Sequence, residues 1–406
     1  MDTFRSLKYP NFRLNVIGQA ISLLGTWMQR VAISWLVYEL TGSVFWLGFV
    51  QFIALLPSLI LSPFIGSFVD KHKKYKLVFI TQIGLMIQAG LLTLLVWMHW
   101  ETVFWLSALG FIQGVINAFD VLGRQSLLIS LVDNKKDLPN AIALNSSIFN
   151  AARMVGPAIG GVLLTTYGER ACFGLNFISF IPVLICLMLM NVTEDEVKLT
   201  KESNWQGLVE GFDYLKRSPH IASLIIVLSF SSLLVIPYTS LLPAVAKDLF
   251  LGNEATFSWF ESVAGLGAMI GAIRMAQLKT GENLRYRVLF AAFLMGCALL
   301  LLAFARYLPF ALLFTMAVSF AMMMQNSSIN TYIQTHAVPS YRARAMSYYV
   351  MAFQGIAPIG ALLVGSVASY IGIKHTLYMM GSAGILVSVC FYIYLRLHIH
   401  RRLFKF

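Results

Sequence analysis

Charged side chains are scarce in this chain. Of its 406 residues, 12% are Asp, Glu, Lys or Arg, and 58% are hydrophobic. A soluble domain has about 25% charged residues, so this chain lacks the polar side chains needed to cover a water-exposed surface. Apolar runs of about 20 residues recur along it, and each can cross ~30 Å of hydrocarbon at ~1.5 Å per residue. The composition excludes a soluble globular protein and predicts an all-α, multi-pass membrane protein.

Acidic residues are scarcer than basic ones, with 18 against 30 and a net charge of +12. In a soluble protein this excess would indicate a nucleic-acid partner, but the enrichment of Lys and Arg in cytoplasmic loops accounts for it in a membrane protein. We therefore expect the lipid bilayer as a partner and no nucleic acid. Both termini are predicted to be cytoplasmic, which places 24 of the 30 basic residues on that side. The twelve predicted spans are 14–38, 44–68, 77–97, 103–129, 140–166, 172–192, 219–246, 256–277, 287–305, 308–334, 345–370 and 376–396.

Sequence motifs of catalysis are missing. The chain has no GxxxxGK[ST] phosphate loop, no HExxH zinc motif and no GxSxG nucleophile elbow. Its four cysteines and seven histidines show no CxxC or Cys/His spacing that would hold a metal. We therefore expect no enzyme activity, no metal and no cofactor. Any transport across the membrane has to be driven by a gradient, since no nucleotide-binding motif is present.

The chain contains two related halves. The sequence GPAIG at 156–160, in the fifth predicted span, corresponds to APIG at 357–360, in the eleventh. The longest polar segment lies between the sixth and seventh spans. We predict a six-helix bundle at 1–192, a cytoplasmic linker at 193–218, and a second six-helix bundle with a cytoplasmic tail at 219–406. Apolar residues at helical spacing predict an amphipathic helix in the linker, along the membrane interface: Trp205, Leu208, Val209, Phe212 and Leu215.

A basic loop follows the second predicted span. Its sequence, GSFVDKHKKYK, contains Gly66, Asp70, Lys71 and Lys74. A run this rich in lysine resists transfer across a bilayer, so the loop marks the cytoplasmic side. The pattern resembles the loop between the second and third helices of major facilitator superfamily transporters, which latches the two halves together when the exit to the cytoplasm is closed. Lys73 departs from that pattern, because the family usually has a glycine or an acidic residue there.

Four further segments look like the bacterial branch of this superfamily that includes the enterobactin exporter, described as transmembrane secretion effectors. They are residues 18–43, 119–132 and 140–161, and the GLVEGFDYLKRSP stretch of the linker. The resemblance implies twelve transmembrane helices in two pseudo-symmetric six-helix bundles, with a substrate site near the middle of the membrane. These matches are specific for the branch and its architecture, but they indicate little about the substrate.

Asp120 lies within the fourth predicted span. A charge there is energetically costly, so we expect it to have an ion-pair partner or a functional role. It either pairs with Arg153 in the fifth span, and could then take part in proton coupling, or joins a charge cluster at the inner gate. We favour the inner gate, since superfamily members place an acid of the fourth span against the lysine loop. The predicted inner-gate cluster consists of Gly66, Asp70, Lys71, Lys74, Asp120 and Arg124.

Arg30 is the strongest candidate for a charge in a substrate cavity, because an arginine this deep in the first span is costly against lipid. It could attract an anionic substrate, or satisfy backbone carbonyls and extend outward. Glu261 could be its partner, a proton site, or an ordinary carboxylate at the interface. Neutral polar side chains within the spans either line the cavity or join helices by hydrogen bonds. The candidates for cavity and coupling are Arg30, Arg153, Glu261, Gln29, Gln113, Gln325, Asn326 and Gln354.

Small residues and a proline mark the fifth span. Small residues let helices approach closely and proline removes a backbone donor, so the segment predicts a closely packed, deformable helix. A similar Gly-Pro sequence in this span is typical of superfamily antiporters that export their substrate. The alternative is that the motif serves helix packing alone and does not indicate export. The motif and its counterpart in the eleventh span comprise Gly156, Pro157, Gly160, Gly161, Pro358 and Gly360.

These patterns and the resemblance lead us to expect a monomeric secondary transporter of the bacterial inner membrane. It would export a small molecule by alternating access against an inward flow of protons, with siderophores and amphipathic drug-like compounds as cargo classes. Uptake of an iron chelate or a lipid-like metabolite is the alternative within transport. A membrane enzyme or sensor is the remote alternative from another class.

Overall fold

The computed structural model describes residues 5–70, 72–134, 136–192, 204–277 and 283–403, and these residues form helices and turns without a β-strand. Twelve helical segments in this part of the chain are long and apolar enough to cross a membrane. The prediction of an all-α, twelve-span architecture is therefore confirmed.

Fifteen α-helices and four short segments of other helical type follow one another along the described chain. The α-helices are α1 Pro10–Thr41, α2 Val44–Asp70, α3 Lys74–Trp97, α4 Val103–Ser130, α5 Leu138–Tyr167, α6 Glu169–Leu189, α7 Asn204–Arg217, α8 Pro219–Leu234, α9 Leu242–Ala244, α10 Glu254–Ala276, α11 Leu284–Phe304, α12 Leu308–His336, α13 Pro339–Val350, α14 Ala357–Ile371 and α15 Ile373–Leu403. The short segments are 3-10 helices at Arg5–Lys8 and Ile236–Leu241 and π-helices at Val245–Leu249 and Met351–Gly355.

The chain divides into two compact units. The first unit comprises Met1–Asn204 together with Gly252–Ser262, and the second comprises Trp205–Leu251 together with Val263–Phe406. The first turns of α10 therefore belong with α1 to α6, and the remainder of that helix belongs with the second unit.

In the first unit, α1 packs against both α5 and α6. A Cβ atom added to Gly156 of α5 would lie 2.6 Å from Cβ of Trp27, and one added to Gly160 would lie 3.1 Å from Cα of Met28. On the other side of α1, an added Cβ at Gly25 would lie 2.5 Å from the Asn176 side chain of α6. Glycine is therefore required on both flanks, and α1 is held closely between its neighbours.

In the second unit, the same kind of contact joins α14 to the end of α8. An added Cβ at Gly360 would lie 2.6 Å from the carbonyl oxygen of Leu233 and 2.7 Å from Cγ of Pro237. Gly360 belongs to the APIG sequence that the predicted repeat relates to GPAIG in the fifth span. Each unit thus brings a glycine of its fifth span against its first span, which supports the internal repeat.

The seventh and eleventh spans are not single continuous α-helices. The seventh passes from α8 through a 3-10 segment into a π-helix that ends at Leu249, and the eleventh contains a π-helix between α13 and α14. The amide of Ile356 donates to the carbonyl of Met351 at 3.2 Å, five residues back. Pro237 and Pro358 lack an amide hydrogen, so each removes one helical hydrogen bond close to the change of helix type. Pro157, in contrast, lies within an unbroken α5.

The predicted linker helix is present as α7, whereas residues 193–203 lie outside the described part of the chain. Leu215 is buried against the second unit, and the rings of Tyr214 and Tyr341 stack with centroids 4.8 Å apart. Glu210 forms an ion pair of 2.7 Å with Arg344 of α13. Phe212 is exposed. The α7 helix is therefore attached to the second unit through one face and leaves Phe212 outward.

Candidate functional site

Only part of the predicted inner-gate cluster lies within the described part of the structure. Lys71, and the side-chain environments of Gly66 and Asp70, lie outside the described part of the structure. Lys74 is half-buried at the first position of α3. Any contact between the lysine loop and Asp120 therefore remains a prediction, and the described part of the cluster is centred on Asp120.

Asp120 is buried and accepts hydrogen bonds from three side chains. Its Oδ1 accepts from Oγ1 of Thr81 at 2.6 Å and from Nε2 of Gln82 at 2.8 Å, and its Oδ2 accepts from Nε of Arg124 at 2.9 Å. A buried carboxylate is tolerated when it is paired and hydrogen-bonded in this way. Of the two arrangements that the sequence left open, the structure brings Asp120 to Arg124 and not to Arg153.

Thr81 and Gln82 are partners that sequence reasoning missed. They are adjacent polar residues in an otherwise apolar stretch of α3, FITQIG, and both are buried. A polar pair within a predicted span was the available signal, but the sequence alone does not tell which neighbouring helix it faces. Through them, Asp120 joins α3 to α4.

Arg30 and Arg153 meet at a tryptophan. The guanidinium carbon of Arg30 lies 5.1 Å from the centroid of the Trp27 ring, and that of Arg153 lies 5.7 Å from the same ring. Both distances are within the ~6 Å range of cation–π attraction. Arg30 is exposed and Arg153 is half-buried. The two basic residues that the sequence placed within the spans therefore contact one aromatic side chain.

Gln29 is completely buried in a hydrogen-bonded network. Its Nε2 donates to Oε1 of Gln88 at 3.2 Å, and its Oε1 accepts from Nδ2 of Asn176 at 2.7 Å. Nε2 of Gln88 in turn donates to the carbonyl of Leu109 at 3.4 Å. The network connects α1, α3, α4 and α6, so this glutamine joins helices. This position favours the packing alternative over a cavity lining.

The remaining polar candidates are divided between buried and accessible positions. Gln325 is completely buried and donates from Nε2 to Oγ of Ser231 at 3.1 Å. Asn326 is also buried, and its backbone carbonyl accepts from the Tyr349 hydroxyl at 3.4 Å. Gln354 is exposed in the π-helix of the eleventh span. The half-buried residues are Gln113 and Glu261.

The packing motif of the fifth span faces two partners. Gly156 and Gly160 face α1, as described above, and Gly161 faces Ser258 at the start of α10, where an added Cβ would overlap the serine side chain. Beside it, the rings of Trp35 and Phe257 stack with centroids 6.2 Å apart. The first turns of α10 are therefore fitted closely onto α1 and α5 within the first unit. Pro157 and Pro358 are both buried.

A further cluster lies at the N-terminal end of the chain, and no sequence pattern indicated it. Asp137, at the start of α5, is 3% exposed. Its carboxylate lies 2.5 Å from Nε of Arg5 and 2.8 Å from Nζ of Lys8, and accepts from the Tyr9 hydroxyl at 2.8 Å. The hydrogen bonds from Lys8 and Tyr9 hold the pKa of Asp137 below its ordinary value, and the bond to Asp137 raises the pKa of Lys8.

This N-terminal cluster is continued by Ser6, which lies in the short 3-10 helix. Its amide and its hydroxyl both donate to Oδ1 of Asn140, at 3.0 and 2.7 Å, and the hydroxyl also lies 3.1 Å from the carbonyl of Asp137. The 3-10 helix is thereby attached to the start of α5. The pair of Asn11 with the backbone of Asn191 adds a second attachment, to the end of α6.

Comparison with solved structures identifies the fold. A bacterial homologue of the human lysosomal transporter Spinster superposes with a TM-score of 0.71 at 13% identity, covering 94% of each chain. A bacterial homologue of the iron transporter ferroportin superposes with a TM-score of 0.68 at 17% identity, covering 94% of this chain and 98% of that one. At these identities the likeness concerns the fold. The chain therefore has the major facilitator fold.

The particular family follows from the sequence. Residues 1–402 match the transmembrane secretion effector family, and the chain belongs to it. The staphyloferrin A transporter of Staphylococcus aureus (strain NCTC 8325 / PS 47) is 28% identical over 382 residues, 91% of this chain and 92% of that one. Macrolide efflux protein A of Streptococcus pyogenes is 22% identical over 393 residues, covering 94% and 96%. The predicted family and the prediction of a transporter instead of an enzyme are confirmed.

Proposed function

We propose that the chain is a secondary active exporter, which carries a small molecule out of the cell by alternating access while protons flow inward. Support comes from its relatives, of which one is named for the siderophore staphyloferrin A and others are named as macrolide or multidrug efflux proteins. The cargo is therefore a siderophore or an amphipathic drug-like compound.

The observation that carries this proposal is the position of Arg30 and Arg153 within membrane-spanning helices. Arg30 is exposed, and a charged side chain against lipid at such a depth costs at least about 2.5–3.5 kcal/mol. A water-filled surface beside α1 and α5 avoids this cost. Such a surface inside the membrane is what a transporter of polar solutes requires.

Proton coupling requires a carboxyl group that can exchange a proton during the cycle. The carboxylate of Asp120 accepts three hydrogen bonds, one of them from Arg124, and this arrangement suits a fixed structural contact. Glu261 is half-buried in α10 and forms no ion pair or hydrogen bond with another side chain in the described ranges. We assign the proton to Glu261 and the inner-gate contact to Asp120.

The location and assembly are part of the same proposal. The concentration of basic residues in the segments assigned to the cytoplasm, together with bacterial relatives, supports a bacterial inner-membrane protein with both termini in the cytoplasm. We propose a monomer, since one chain supplies all twelve spans.

The direction of transport is tested with membrane vesicles of both orientations. We expect energised everted vesicles that contain the protein to accumulate staphyloferrin A or a macrolide, and the protonophore CCCP to abolish the accumulation. Right-side-out vesicles should not accumulate the same compound. Accumulation in right-side-out vesicles alone would indicate uptake, and equal behaviour of vesicles with and without the protein would contradict transport of these compounds.

A further inference from the structure

A cavity of about 370 Å³ lies in the second unit, between the end of α10, the start of α11 and the middle of α12. This volume is within the ~300–1,000 Å³ range of small-ligand sites. The α10 helix lies closely on α12, because an added Cβ at Gly271 would lie 2.9 Å from the carbonyl oxygen of Phe320, and α11 packs against α12 as well. The lining residues are Arg274, Tyr286, Arg287, Phe290, Phe320 and Met324.

One end of this cavity is basic. Arg274 lies in the last turn of α10 and Arg287 in the first turn of α11, so both are next to the loop that joins these helices. Arg274 is exposed and forms no ion pair with an acidic residue in the described ranges. Arg287 already takes part in another interaction, so the assignment below rests on Arg274. Of the described residues that line the cavity, none is acidic.

The sequence around this basic end has an excess of positive charge. Residues 274–287 contain four basic residues and one acidic residue, and the enrichment of Lys and Arg in cytoplasmic segments places them on the cytoplasmic side. Basic pockets between membrane-spanning helices on that side bind acidic lipid headgroups. Residues 278–282 lie outside the described structure and are not part of the site. The basic residues are Arg274, Lys279, Arg285 and Arg287, and the acidic one is Glu282.

The other walls of the cavity are apolar. They are formed by Phe290 of α11 and by Phe320 and Met324 of α12. Phe290 is 55% exposed and lies about one helical turn further into the span than Arg287. The ring of Tyr286 is also exposed, and its hydroxyl group can donate a hydrogen bond. The cavity therefore combines a positive charge at the end of a span with apolar walls further along it.

We propose that this cavity binds an anionic phospholipid of the cytoplasmic leaflet. The phosphate group lies at Arg274, because a guanidinium group presents paired N–H donors that match phosphate oxygens. An acyl chain lies along Phe290, Phe320 and Met324. A soluble phosphate ester would use the charge but leave the apolar walls uncovered, so the chemistry of the cavity favours a lipid. This binding does not depend on the proposed transport function.

The test is ligand-induced stabilisation of the purified full-length protein in dodecyl maltoside. Dioleoyl phosphatidylglycerol is the anionic probe, and dioleoyl phosphatidylcholine has the same chains without the net charge. Glycerol 3-phosphate carries the charge without the chains, and sodium chloride holds the ionic strength constant. A ligand that binds only the folded state raises the unfolding temperature. We expect phosphatidylglycerol to raise it in a saturable manner and the other two compounds to leave it unchanged.

Variants locate the binding. Arg274→Gln should weaken the apparent affinity for phosphatidylglycerol about fivefold, the effect expected for one basic side chain at an anionic lipid surface. Arg396→Gln is the matched control, because Arg396 is an exposed arginine of the same unit that does not line the cavity. Phosphatidylglycerol should stabilise this control like the wild type. If Arg274→Gln does not fold, Arg274→Met decides, since it also removes the charge but keeps an apolar stem, and the same weakening is expected.

Several results would overturn the proposal. The first is no saturable effect of phosphatidylglycerol on the wild type. An equal effect of phosphatidylcholine would show that the charge is not recognised, and an equal effect of glycerol 3-phosphate would show a site for soluble phosphate instead of a lipid. Unchanged affinity in the folded Arg274 variant, or an equal loss of affinity in Arg396→Gln, would show that the lipid binds elsewhere.

Discussion

Nε of Arg124 lies 2.9 Å from Oδ2 of Asp120, one turn earlier in α4. The pair is almost enclosed, because the side chain of Arg124 is 14% exposed and that of Asp120 is 10% exposed. The other carboxylate oxygen accepts from Thr81 and Gln82 of α3. The hydrogen bonds from Thr81 and Gln82 join this charge pair of α4 to α3.

The first prediction concerns this pair. Asp120→Asn should destabilise the protein by about 3–5 kcal/mol, because Arg124 is then left buried without its counter-charge. Arg124→Gln should have a similar effect, and the double variant should lose clearly less than the sum of both. Thermal unfolding of the four proteins in detergent provides the measurement. Additive losses would show that the two side chains act independently. Transport at the wild-type rate in Asp120→Asn would remove the inner-gate role that we assign to this residue.

The second prediction concerns pH and the N-terminal cluster. The pKa of Asp137 is lowered from 3.8, so its contribution to stability is present above pH 3.8 and is lost as pH falls through the lowered value. The pKa of Lys8 is raised from 10.5, so its contribution is present below pH 10.5 and is lost as pH rises through the raised value. We expect Asp137→Asn to lower the unfolding temperature at neutral pH, by a difference that shrinks below pH 3.8.

The control for this cluster is Asp133→Asn, in the same loop, because Asp133 is exposed. Its unfolding temperature should follow that of the wild type over the whole pH range. A pH profile of Asp137→Asn that runs parallel to the wild type at every pH would contradict the pairing of Asp137 with Lys8.

The third prediction concerns the glycines of α5. Gly156→Ala would bring a methyl group within 2.6 Å of Cβ of Trp27, and such overpacking costs about 1–3 kcal/mol. It should also displace Trp27 and thereby reduce transport. Gly174→Ala is the matched control on α6, because its nearest neighbour would be 3.8 Å away. Alanine there should be neutral or stabilise the helix by up to about 1 kcal/mol. Equal unfolding temperatures for both variants would contradict the close contact of α1 with α5.

The fourth prediction separates helix packing from substrate contact. Gln29→Leu should cost about 1–3 kcal/mol, because Gln88 and Asn176 lose their partner in the buried network. The KM for transport should change little. Gln113→Leu changes a half-buried residue and should leave stability almost unchanged while raising KM. Measurement of unfolding temperature and KM for both variants tests the assignment, and a raised KM in Gln29→Leu alone would reverse it.

The sequence predicted much of the fold, because the length and composition of a span are local properties. Twelve spans, the linker helix and the close packing at Gly156 and Gly160 could all be anticipated from runs of apolar and small residues. The interruptions of the seventh and eleventh spans could not, since Pro157 and Pro358 occupy corresponding positions and only the second accompanies a π-helix. Whether a proline interrupts a helix depends on the neighbouring helices as well as on local sequence.

The candidate site was less predictable, because it depends on which faces of helices meet. Arg30 and Arg153 stood out as charges within spans, but their common contact with Trp27 requires the packing of α1 on α5. Gln29 and Gln113 are both glutamines within predicted spans. Only the structure distinguishes them, because Gln29 is buried and Gln113 is half-buried. Asp137 carried no signal, since an acid in a polar loop is ordinary, and its partners are more than 120 residues away in the chain.

Transport by the purified protein in proteoliposomes tests the central claim most directly. The liposomes contain pyranine to report internal pH, and an inside-acid gradient is imposed before staphyloferrin A is added outside. We predict that staphyloferrin A enters as protons leave. Both fluxes should be lost in Arg30→Gln and Arg153→Gln. They should be retained in the control Arg396→Gln, whose arginine lies over the Tyr392 ring at the end of α15. Two results would contradict the account. One is entry of staphyloferrin A at the same rate with and without the gradient, and the other is entry at the wild-type rate in both Arg30→Gln and Arg153→Gln.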